Sequence, residues 1–111
     1  MQQDRPPTAF LALTNFATLG VLATLHQWNL RVPHDVSVVG FDDYSWMRAV
    51  SPPLTAIRQP VEEMGRQIWS RLKARIDGDA TANRRFKLAC ELIVRGSTAD
   101  LGPPARAGKA A

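Results

Sequence analysis

Residues Thr8 to Phe41 read TAFLALTNFATLGVLATLHQWNLRVPHDVSVVGF, and the changes of pattern inside that run decide the fold. Thr8–Leu13 is apolar, follows Pro6 and Pro7, and stops at polar Thr14 and Asn15, as a short buried strand does. From Phe16 the spacing turns helical: Phe16, Leu19, Leu22 or Ala23, and His26 recur every three or four residues, with Thr14 or Asn15 placed to cap the first turn. The helix should stop near Asn29, which tolerates the left-handed conformation of a helix C-terminus, ahead of Pro33. Val36–Phe41 is β-branched and apolar, as expected of a strand covered on both faces.

Strand, helix and strand joined at this length imply parallel pairing, a right-handed crossover and an α/β layer architecture. Parallel neighbours carry their C-terminal ends on one edge of the sheet. Thr14 and Asn15 after the first strand therefore share a rim with Asp42 and Asp43 after the second, and open α/β sheets bind ligands along that rim.

Outward from this unit, Tyr44–Ser51 is aromatic and irregular, and Pro52 and Pro53 set an extended entry into a further short strand, Leu54–Ile57. Gln59 and Pro60 end it. Val61, Met64, Ile68, Leu72 and Ile76 form one apolar stripe on a helix of about four turns. Glu62 and Glu63 near its start and Arg71, Lys73 and Arg75 near its end suit the helix dipole, and Gly78 is placed to stop it. Phe86–Arg95 predicts a last strand near a sheet edge. The Pro- and Gly-containing remainder predicts a disordered tail over residues 100–111, leaving 7–99 as the folded portion.

A chain of 111 residues is the size of one compact unit, and 45% hydrophobic with 22% charged residues excludes a disordered or fibrous body. The net charge of +4 comes from Lys and Arg scattered without a basic stripe, which reads as a solvated surface and not a DNA-binding face. The single cysteine, Cys90, cannot form an intrachain disulfide; in an apolar strand-like run it is expected to be buried, and it fits a reducing cytoplasm. No charge interrupts Pro6–Leu30, a length that would span a bilayer, but Thr8, Thr14, Asn15, Thr24, His26 and Gln27 break it up, so two buried elements fit better. Met1–Arg5 has no basic segment leading into an apolar one, so no export signal is expected.

Asp42 and Asp43 invite a catalytic reading, but consecutive residues leaving a strand point to opposite sides. One can face a ligand while the other turns back into the loop, or both can be structural. His26 and His34 have no partners at metal-ligand spacing, GFDD lacks the glycines of a phosphate loop, and Ser45, Ser51 and Ser70 have no nearby base. No catalytic residue, metal or cofactor is expected. Trp46, Met47 and Val50 form an apolar group in a loop-like segment, either a partner face or, with Trp46 folded back, a lid on the chain's own core. Trp28 and Trp69 are expected in core or half-buried packing.

Taken together, LRVPHDVSVVGFDD (30–43), SPPLTAIRQPVEEMG (51–65) and ELIVRGST (91–98) resemble the LacI/GalR family of bacterial transcription regulators, in order and in register. The resemblance covers about Pro7 to Ala99. It implies the type I periplasmic-binding-protein-like fold, a three-layer α/β architecture with a mostly parallel sheet, of which this chain is the C-terminal part of the effector-sensing domain. It further implies a small-molecule effector, in all expectation a carbohydrate, at Thr14, Asn15, Phe16, Asp42 and Gln59. Asp42 stands where members accept hydrogen bonds from effector hydroxyls, and Gln59 where the chain crosses between lobes. Many members end the first strand in Asn-Asp where this chain has Thr14-Asn15, so a carboxylate is replaced by an amide. Leu19, Ala23, Trp46, Met47 and Val50 stand at the homodimer interface, the helix from Val61 packs with the other lobe, and DNA contact belongs to a helix-turn-helix absent from these residues. Two alternatives remain at this point: a fragment of a periplasmic sugar-binding protein, and an inactive truncated regulator.

Overall fold

β1 (Ala9–Ala12) runs through Thr14 directly into α1 (Asn15–Gln27). The Thr14 hydroxyl accepts from the Ala17 amide at 3.1 Å, which caps the first turn, and the Thr18 hydroxyl donates back to the Thr14 carbonyl at 2.8 Å. Asn29 takes φ 54°, the left-handed ending expected for it. The chain continues through β2 (Ser37–Phe41), a single 3-10 turn at Ser45–Arg48, β3 (Thr55–Arg58), α2 (Val61–Ile76) and β4 (Glu91–Ile93). Gly78, at φ 95°, ends α2's last turn where a side chain would strain the backbone. This computed structural model describes residues 6–100. The expected tail therefore lies, apart from its first residue, outside the described residues.

The four strands form one sheet in the order β1-β2-β3-β4. β1 and β2 pair in parallel with Leu11 opposite Val39, β2 and β3 in parallel with Phe41 opposite Ile57, and β3 and β4 antiparallel with Ile57 opposite Leu92. α1 packs on β1 and β2. Beneath it lies the core of Leu25, Val36, Val38, Met47, Leu54 and Ala56, edged by Phe10, Val21, Leu22, Trp46 and Val50. Full burial of Val36, Val38, Met47 and Leu54 contributes roughly 1.5–3 kcal/mol each. Met47 comes so close to Gly40 that a Cβ there would lie 2.9 Å from its Cε, so the glycine makes room for the methionine. Ser97, fully buried, is wedged between β2 and β3. Its hydroxyl donates to the Val38 carbonyl at 2.6 Å and accepts from the Thr55 amide at 2.8 Å, which satisfies both strands where they part.

By strand alternation and register, Leu11, Val39, Phe41, Ile57 and Leu92 share the opposite face of the sheet. No described helix covers that face, and Leu11 stays 56% exposed. The sheet and α1 are thus two of the three layers of the fold class. α2 packs along neither face, and its stripe stands open, with Ile68 64% exposed. Phe86 and Leu88 join Met64, Ile68 and Leu72 around a shallow groove of about 420 Å3.

Several expectations are corrected. The last strand covers only Glu91–Ile93 instead of Phe86–Arg95, because residues before Glu91 have no strand edge beside them. Cys90 consequently lies exposed, just ahead of the pairing. Trp28 and Trp69 are also exposed: Trp28 sits at the end of α1 beyond the core, and Trp69 is on a helix that buries no residue. No described helix is long and apolar enough to cross a membrane.

Candidate functional site

β2 and β3 end side by side, and each ends in a polar pair: Asp42-Asp43 after β2 and Arg58-Gln59 at the end of β3. The pairs are cross-bonded in two rungs. Gln59 Nε2 donates to Asp42 Oδ1 at 2.6 Å, and Arg58 donates through Nη2 to Asp43 Oδ2 at 2.6 Å and through Nε at 3.2 Å. Asp42 adopts φ 66°, a left-handed conformation that costs an L-residue roughly 1–2 kcal/mol. Its amide donates to the Ile57 carbonyl at 2.9 Å, and its carbonyl accepts from the Tyr44 amide at 3.2 Å.

Behind this pair, Arg95 adds a third arm. Its Nη1 and Nη2 donate to Asp43 Oδ1 and Oδ2 at 2.7 and 2.9 Å, and Nη1 also donates to the Leu54 carbonyl at 2.8 Å. The Asp43 side chain is only 2% exposed. The Arg95 guanidinium, helped by Arg58, holds its carboxyl down at about 2, against burial that pushes the other way. Glu91 balances Arg58 at 3.5 Å, so the cluster of two carboxylates and two guanidiniums is close to neutral.

A cavity of about 710 Å3 opens in front, at the C-terminal rim of the sheet. Asp42, Tyr44, Arg48 and Gln59 line one side, and the start of α2, with Glu62, Glu63 and Arg66, lines the other. Glu63 is occupied by Arg66 and Gln67. The second Asp42 oxygen and the free Gln59 amide groups remain to accept from and donate to hydroxyls. Among the described residues no three His, Cys, Asp or Glu side chains are grouped to hold a metal ion.

Of the residues singled out in the sequence, the structure brings Asp42 and Gln59 together. Thr14, Asn15 and Phe16 lie at the start of α1 and do not line this cavity. Thr14 is the helix cap, Asn15 Oδ1 accepts from the Trp46 indole at 2.9 Å, and Phe16 is 85% exposed. Leu19 and Ala23 are exposed on α1. Met47 is corrected as an interface residue: it is fully buried against Gly40 and has no surface to offer a partner. Trp46 and Val50 are partly buried against the chain's own core. Arg58, Arg95, Tyr44 and Arg48 were missed. Arg58 and Arg95 stand 15 and 52 residues from Asp43, a separation that leaves no local pattern to read.

Comparison with known proteins places these features. The family of periplasmic binding protein-like domains matches residues 1–98. The HTH-type transcriptional regulator KdgR of Bacillus subtilis is 36% identical over 89 residues, 80% of this chain and 26% of that protein. A probable opine utilization operon repressor of Rhizobium rhizogenes is 41% identical over 92 residues, 82% of this chain and 46% of that protein. A LacI family transcriptional regulator from Enterococcus faecalis, solved with bound ribose, superposes with a TM-score of 0.78 at 32% identity, covering 86% of this chain and 36% of that one. The chain thus spans between a quarter and a half of the length of the two relatives.

Proposed function

The chain belongs to the periplasmic binding protein-like domain family, and from that membership we propose that it is the C-terminal portion of the effector-sensing domain of a LacI-type transcriptional regulator. The observation that carries this reading is the Asp42 carboxylate bonded to the Gln59 amide at the mouth of the rim cavity. A carboxylate with an unused oxygen beside a carboxamide suits a ligand rich in hydroxyls, each of which donates one hydrogen bond and accepts others. A sugar-like effector fits that chemistry, and the ribose in the Enterococcus faecalis regulator supports it. Thr14, Asn15 and Phe16 lie on the same rim but outside this cavity, and of the three the exposed Phe16 is the one proposed to reach an effector, by stacking on a sugar ring.

In this reading the protein is cytoplasmic and not an enzyme. Leu19 and Ala23 belong to a homodimer face, and DNA is contacted only through a segment outside this chain. Regulation works by population shift: an effector that binds one arrangement of the sensor better changes the affinity of the paired DNA-binding segments for the operator. The chain spans between a quarter and a half of the length of the two relatives, so in this reading the rest of the site is supplied by the remainder of the polypeptide. Titration calorimetry with ribose and other monosaccharides should therefore give millimolar or undetectable binding to this chain alone and tighter binding to the complete polypeptide that carries it. Tight binding to the chain alone would contradict the division of the site.

A further inference from the structure

We propose that Asp43 is a positioning residue of this site: gripped by Arg95 and Arg58, it holds the backbone at Asp42 in the left-handed conformation from which the Asp42 carboxylate meets Gln59. The proposal deepens the effector-site reading and rests on it, since Asp42 and Gln59 are the contacts that reading assigns.

Asp42 sits at φ 66° without being a glycine, and such a conformation persists only where the surroundings over-determine it. The candidates for that task are few. The Asp42 amide is tied to Ile57 and its carbonyl to Tyr44, one backbone bond on each side of the residue, and the Asp43 side chain supplies the side-chain anchor next to it. The Asp43 side chain is 2% exposed, and both of its oxygens receive guanidinium donors. A guanidinium is a rigid planar fork, so a two-point grip on a carboxylate fixes direction as well as distance. Arg95 is itself anchored: its side chain holds the Leu54 carbonyl and its amide donates to the Thr55 hydroxyl at 2.9 Å. Arg58 directly precedes Gln59, so the Asp43–Arg58 rung and the Asp42–Gln59 rung are adjacent steps of one ladder. Turning Asp43 away would swing Asp42 off Gln59. The buried clamp therefore sets where the acceptor at the cavity points.

The side-chain amide resonances of Gln59, monitored by nitrogen–proton NMR on the full chain, test this without any sugar. In the unaltered chain the carboxylate of Asp42 displaces the Gln59 amide pair from the position of a free glutamine, and Asp42→Ala returns it there. Asp43→Asn, and Arg95→Lys, which keeps the charge but loses the fork, are expected to return it as well while the resonances of α1 remain in place. A clamp that only stabilises the fold would lower the thermal midpoint and leave the Gln59 pair at its original position in the folded fraction, and that result overturns the proposal. So does an unaltered chain whose Gln59 pair already sits at the free position. If Asp43→Asn does not fold, Arg58→Gln removes the half-exposed arm and should move the pair part of the way; no movement overturns the proposal. A Gln59 pair that stays displaced in the variants removes the clamp and leaves the sugar-site reading standing, which is tested by titration instead, whereas a free pair in the unaltered chain also removes the Asp42–Gln59 contact on which that reading rests.

Discussion

Arg95 grips Asp43 from both terminal nitrogens, at 2.7 and 2.9 Å, across 52 residues of chain. The side chains are 13% and 2% exposed, so this is a buried fork tying the loop after β2 to the return of the chain after β4. Arg58, 46% exposed, completes the cluster from the solvent side. The rim that carries Asp42 is held from behind by charge, and the core under α1 supports it from below.

Removing the two arms should cost very different amounts. Arg95→Ala leaves the buried carboxylate with Arg58 as its remaining guanidinium partner and is expected to lower stability by about 1.5–3 kcal/mol. Arg58→Ala removes a half-exposed partner and should cost less than about 1 kcal/mol. Urea denaturation midpoints check this, and equal losses would contradict the division into a buried and an exposed arm.

Acid should act through the same residue. Asp43 is held at about 2, below the ordinary carboxylate value of about 3.9, so the unfolded chain binds more protons than the folded chain between those values. Its contribution, of order 2 kcal/mol, is complete above about pH 5, begins to fall as pH drops through the unfolded value and is mostly lost as pH falls through 2. Thermal midpoints recorded from pH 5 to 2 should fall more steeply for the unaltered chain than for Asp43→Asn. Parallel curves would contradict the assignment.

The Gly40–Met47 contact predicts coupled substitutions. Met47→Ala leaves a cavity and should cost about 2–5 kcal/mol. Gly40→Ala drives a methyl group into the Met47 side chain and should cost about 1–3 kcal/mol. With Met47 shortened the new methyl group has room, so the double variant should be more stable than the sum of the two by about 1 kcal/mol. Strict additivity in the denaturation series would show that the two do not touch.

Trp46 and Leu19 should separate folding from association. Trp46→Phe removes the indole donor to Asn15 and is expected to cost about 1 kcal/mol of stability. Leu19→Asp changes an exposed position and should leave the thermal midpoint nearly unchanged while weakening self-association of the complete polypeptide in sedimentation equilibrium. Unchanged association would remove α1 from the dimer face.

The sequence made some of this legible and hid the rest for identifiable reasons. β1, α1, β2 and α2 announce themselves through periodicity, and Asn29 and Gly78 do sit at left-handed helix endings. Parallel pairing put Thr14, Asn15 and Asp42 on one rim by topology alone. Gln59 came from the family resemblance, because nothing local marks a glutamine after a strand as the partner of an aspartate 17 residues away. Phe86–Cys90 looked like strand because an apolar run does not say whether an edge lies beside it. Met47 looked like surface because its pocket is a missing side chain at Gly40, an absence that leaves no pattern of its own.

The central claim, that this chain carries the Asp42 half of a sugar-sensing site, is most directly tested by thermal shift of the complete polypeptide against a panel of monosaccharides and disaccharides, with and without Asp42→Ala. Ligand present at one hundred times its dissociation constant stabilises the folded state by about 2.7 kcal/mol, a readily measured rise in midpoint. At least one sugar should raise the midpoint, and Asp42→Ala should abolish the rise. No response to any sugar, or a rise that survives Asp42→Ala undiminished, would contradict the claim.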